Sequence, residues 1–63
     1  MYKSVSMNAA GQGEPKFFGD KLLSPPPGRH WIWTQDKINE ALHNNIIFFL
    51  STGTPRYKQF ADN

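Results

Sequence analysis

Five apolar residues in succession, Ile46-Ile47-Phe48-Phe49-Leu50, set the tightest limit on what this chain can fold into. A run of strand length with no polar residue in it predicts a strand buried on both faces, or one at the centre of a sheet. The chain has only 63 residues. A domain of that size buries roughly 60% of the surface its unfolded chain exposes, so both faces of such a strand are hard to cover from within. The conflict predicts that something outside these residues helps to cover it. The rings point the same way: two Trp, two Tyr and five Phe make up 14% of the chain, more than its own core easily encloses.

The flanks of the run carry local signals. Upstream, Thr34 has the chemistry of a helix N-cap, and Asp36 places negative charge in the first turn. Ile38, Ala41 and Leu42 recur at i, i+3 and i+4, which defines one apolar helix face. Lys37 stands where Glu or Gln would close a capping box. Asn44-Asn45 ends the helix, because asparagine tolerates the left-handed conformation of a C-terminal turn. Downstream, Ser51-Thr52-Gly53-Thr54-Pro55 is turn chemistry. Arg56-Tyr57-Lys58-Gln59-Phe60 then reads as the returning strand of a hairpin, with Arg56, Lys58 and Phe60 on one face and Tyr57 on the other. Ala61-Asp62-Asn63 follows as a tail with no finishing element.

Before the helix, Arg29 to Trp33 reads as a strand with Trp31 and Trp33 on one face and Ile32 on the other. Pro25-Pro26-Pro27 is a stiff spacer that delivers Arg29 to a set place. Lys16-Phe17-Phe18 is a short strand closed by the turn signal Gly19-Asp20. Residues 1–15 show no clean period; Tyr2, Val5 and Met7 are their only bulky apolar anchors, and they read as an irregular lead-in. The expected architecture is α+β: a lead-in over 1–15, then a strand–helix–strand–turn–strand unit over 16–63, with one helix packed on an antiparallel hairpin.

Several chemistries are excluded. Without cysteine there is no disulfide framework and no thiolate metal site, and the absence fits a reducing compartment such as the cytoplasm. No run reaches the roughly 20 apolar residues of a membrane span. Gly11-Gln12-Gly13 is too short for a phosphate loop. His30 and His43 have no paired acid at metal-ligand spacing, and no nucleophile elbow is present. No catalytic residue is assigned. The net charge of +2 permits a nucleic-acid partner without demanding one. Arg29, His30, Arg56 and Lys58 are the candidate phosphate contacts. Trp31, Trp33 and Tyr57 are candidates for base stacking or for packing.

The ordered series Pro26-Pro27-Gly28-Arg29-His30-Trp31-Ile32-Trp33-Thr34, then Ile38 and Glu40 in a helix, Ile47 and Phe48, and Gly53-Thr54-Pro55-Arg56-Tyr57-Lys58 with Phe60 resembles a segment of adenine-specific (N6) site-specific DNA methyltransferases. The nearest group is the modification subunit of type III restriction–modification systems. The likeness covers about residues 14 to 62 and includes Lys16-Phe17-Phe18-Gly19. It implies a place between the Asp-Pro-Pro-Tyr type catalytic motif and the Phe-x-Gly-x-Gly cofactor motif, in or beside the target-recognition region. Neither motif occurs in this chain. S-adenosylmethionine is therefore implied for the parent family, with no site for it here. The implied partners are the rest of the methyltransferase, DNA and a restriction subunit. Where family members carry glycine between helix and strand this chain has Asn45, and where they carry a basic residue after the apolar strand it has Ser51. Two other readings stand beside this one: a self-standing nucleic-acid-binding or inhibitor module, and a protein-interaction module that offers an exposed strand edge.

Overall fold

The computed structural model describes residues 1–60. The tail Ala61-Asp62-Asn63 lies outside the described residues. One helix, α1 (Gln35–His43), forms where the caps demand it. The Lys37 N–H donates to Thr34 Oγ1 at 3.3 Å, and Asn45 takes φ 58° just past the C-cap, Asn44. Ile46 N–H donates to Ala41 O at 2.8 Å and Asn45 N–H to Leu42 O at 3.1 Å, the two bonds of a Schellman ending. Ile38 and Ala41 are buried and Leu42 is half-buried, so the apolar face is the one the spacing defines.

Among the described residues there are seven strands: β1 (Tyr2–Ser6), β2 (Asn8–Ala10), β3 (Lys16–Phe18), β4 (Lys21–Leu23), β5 (Arg29–Trp31), β6 (Ile47–Phe49) and β7 (Pro55–Phe60). All pair antiparallel, as a three-stranded sheet in the order β1-β7-β6 and two ribbons, β2-β5 and β3-β4. The arrangement is α+β, with the hairpin β6-β7 and α1 packed against β6 and β3. Gln35 couples helix to ribbon: Phe17 N–H donates to its Oε1 at 2.8 Å, and its Nε2 donates to Phe17 O at 2.6 Å. Among the described residues no helix is long and apolar enough to cross a membrane.

Three expectations change. The lead-in over 1–15 is not irregular, because β1 and β2 lie in it and Met7 between them is completely buried. Its partners are distant in sequence, Tyr2 to Ser6 opposite Phe60 to Arg56, so local periodicity carries little of the signal. The apolar run is neither central nor buried on both faces. β6 is an edge strand; Ile47 is buried, Phe48 and Phe49 are half-buried, and Leu50 is exposed. The central strand is the mixed β7, since β1 takes its other side. Finally, β5 stops at Trp31, and Trp33 reaches the core across a bend.

The core consists of Met7, Phe18, Trp31, Ile38, Ala41 and Ile47, with Leu23, Trp33, Leu42, Ile46, Phe49 and Tyr57 packed against it. Phe18 meets Trp31 edge-on at 5.2 Å and Phe49 at 6.3 Å. Edge-to-face pairs add about 0.5–1.5 kcal/mol each beyond the area they bury. The buried indole N–H of Trp31 donates to Leu23 O at 2.9 Å. Pro27-Gly28 turns the chain into β5 with Gly28 at φ 73° and Arg29 N–H on Pro26 O at 3.0 Å, the geometry of a type II turn.

Candidate nucleic-acid interface

The candidate residues fall in two groups. Arg29, His30 and Trp31 form β5, and Arg56, Tyr57 and Lys58 belong to β7. Trp33, two residues past the end of β5, links them: its ring and that of Tyr57 lie 4.6 Å apart at a 43° tilt.

Both arginines hold the N-terminal segment. Arg29 Nε donates to Asn8 Oδ1 at 2.8 Å and its Nη2 to Asn8 O at 3.3 Å. Arg56 Nε donates to Ser4 Oγ, and its Nη2 to Ser4 O at 3.2 Å. Each thus fastens a strand to the sheet while keeping further N–H groups unspent. His30 is half-buried beneath the Gly11–Gly13 loop. A Cβ built on Gly13 would stand 2.3 Å from His30 Cβ and 2.8 Å from its Cα, so glycine is what lets the loop close over the strand. Lys58 Nζ sits 5.3 Å from the centroid of Tyr2, within cation–π range.

The three stacking candidates turn inward. Trp31 is buried. Trp33 has Tyr57 on it and Lys37 Nζ at 4.8 Å from its ring centre, which leaves little of it open. Tyr57 shares the inner face of the sheet with Val5 and Ile47, its register partners. Arg56, Lys58 and Phe60 do share the opposite face, as their alternation requires.

That outer face holds residues the sequence reading passed over. Tyr2 and Phe48 join Phe60 there: Tyr2 meets Phe60 at 5.9 Å and Phe48 at 6.2 Å, both edge-on. Tyr2 and Phe60 remain about half exposed. The alternation of Ser4 and Ser6 with Val5 and Met7 was the available signal for β1, and with it for the position of Tyr2.

Elsewhere, an open depression of about 460 Å³ is lined by Gln12, Gly13, Glu14, Lys16, His30 and Trp31. Among the described residues no buried side-chain polar atom lacks a hydrogen-bond partner, and no three of His, Asp or Glu gather to hold a metal.

Over 60 residues the chain is 33% identical to the Type II methyltransferase M.EcaI of Enterobacter cloacae, an overlap of 94% of this chain and 13% of that protein. The chain is thus similar to a segment of a methyltransferase, and spans about an eighth of the length of the relative it matches. No family model matches it. No solved structure matches it either.

Proposed function

We propose that this chain works as a segment of a site-specific DNA adenine N6-methyltransferase, positioning DNA or packing the scaffold and not catalysing the transfer alone. The supporting observation is the 33% identity that runs through nearly the whole chain. The relative is named as Type II, whereas the ordered motifs resemble type III modification subunits. The firmest part of the reading is the part both share, methyl transfer by a restriction–modification enzyme. Adenine N6 as acceptor and the type III grouping are its finer parts. A cytoplasmic setting, the remainder of the enzyme and a restriction subunit as partners belong to the same reading.

The methyl donor of such an enzyme is S-adenosylmethionine, and the residues present do not fit it. The depression beside His30 is open to solvent, and among the described residues no unpartnered buried polar atom aims into it. The donor and the catalytic residues therefore belong to other parts of the parent enzyme. What this segment offers DNA is cationic: Arg29, His30, Arg56 and Lys58 as phosphate contacts, the arginines through the N–H groups that Asn8 and Ser4 leave free.

Two measurements test the reading. The coding sequence on either side of this segment is expected to contain the catalytic and cofactor motifs, and their absence from both sides overturns the proposal. Chemical-shift mapping with duplex DNA is expected to move the resonances of Arg29, His30, Arg56 and Lys58. Shifts confined to the helix would remove the DNA-positioning role and leave scaffold packing.

A further inference from the structure

We propose that the outer face of the sheet β1-β7-β6 binds single-stranded nucleic acid, a capacity that goes beyond the methyltransferase reading while sharing Arg56 and Lys58 with it. The face carries Tyr2, Phe48 and Phe60 as rings, Arg56 and Lys58 as cations, and Ser4 between them. Among the described residues the carboxylates are Glu14, Asp20, Asp36 and Glu40, and none of them lies on β1, β6 or β7. The face is thus positive and aromatic without an opposing charge on its strands, the complement of a polyanion with ring systems.

Geometry selects the single strand over the duplex. Bases in a duplex are stacked on one another and hide their faces, whereas an unpaired strand can lay them on protein rings. Tyr2 and Phe60 are exposed at 47% and 54%, and both belong to paired strands that fix their positions. Residues two apart along a strand recur at roughly 6.6–6.8 Å, so Arg56, Lys58 and Phe60 form a row along which an extended backbone can run. Lys58 beside the Tyr2 ring puts a phosphate-seeking charge next to a base-stacking surface. Arg56 is held by Ser4 and adds a second charge at a set place.

The test is fluorescence anisotropy of a labelled eight-nucleotide oligothymidine titrated with the full chain at several salt concentrations. Circular dichroism checks that each variant folds. Binding that weakens with salt is expected. Phe60→Ala should lower affinity about tenfold, as loss of one stacked base does. Lys58→Ala should reduce the slope of log affinity against log salt by about 0.7, the share of one phosphate on a single strand. Lys37→Ala, on the helix, should leave both unchanged. A blunt duplex of equal length should compete at least tenfold more weakly. The proposal is overturned if the oligonucleotide fails to bind at low salt, or if folded Phe60→Ala and Lys58→Ala bind like the parent chain. It is also overturned if the duplex competes equally, or if sedimentation shows a second copy of the chain covering this face. None of these results touches the flanking-sequence test, so the two readings fail separately.

Discussion

On one side of β7, Tyr57 meets Trp33 at 4.6 Å, and Ile47 beside it is buried. On the other side, Arg56 and Lys58 alternate with it and Phe60 stands 54% exposed. Both faces carry rings, yet they use them differently. Inner rings are fixed by tertiary neighbours from α1, β3 and β5. Outer rings touch one another edge-on and leave surface open to solvent. Aromatic content alone therefore does not measure a core: here it divides between a packed side and a presented one.

Substitutions sharpen or break that contrast. Met7→Ala removes a completely buried side chain at the junction of β1 and β2, and should cost about 2–5 kcal/mol in urea unfolding. The whole chain is expected to have only about 3–9 kcal/mol of stability at ordinary per-residue values, so this variant should lose a large share of it. Gly13→Ala should cost about 1–3 kcal/mol in the same assay, since its methyl group meets the His30 backbone. Arg56→Ala lies on the outer face but gives up two hydrogen bonds to Ser4, and a destabilisation of about 1 kcal/mol is expected from the urea midpoint. Lys58→Ala should change stability least, by no more than about 0.5 kcal/mol in urea unfolding. If Lys58→Ala proves as costly as Met7→Ala, the two faces are not distinct and the outer one is part of the core.

How much could be seen in the residues beforehand depended on distance along the chain. The helix was legible because its signals are local: Thr34, the Ile38–Ala41–Leu42 face and Asn45 lie within one segment and act on one another. The turns at Gly19-Asp20 and Ser51–Thr54 were legible for the same reason, and so were β3, β6 and β7; β4 was not, because Lys21-Leu22-Leu23 is too short to show a period and owes its strand form to β3. β1 was not, because what makes it a strand is β7, and Arg56 and Ser4 lie 52 residues apart. That gap also displaced the apolar run from the centre of the sheet to its edge. The candidate site suffered the same way. Arg29 and Arg56 lie on strands that their own neighbours indicate, but their partners Asn8 and Ser4 lie on β2 and β1, whose pairing is long-range. Only the pairing of β1 with β7 places Tyr2 beside Phe60, whereas the Trp31-Ile32-Trp33 alternation shows within three residues.

The register that sets Tyr2 opposite Phe60 has a consequence for the order in which the sheet forms. The two residues are far apart along the chain, so the entropy of closing that loop is paid before their contacts reward it, and this edge of the sheet is expected to zip last and fray first.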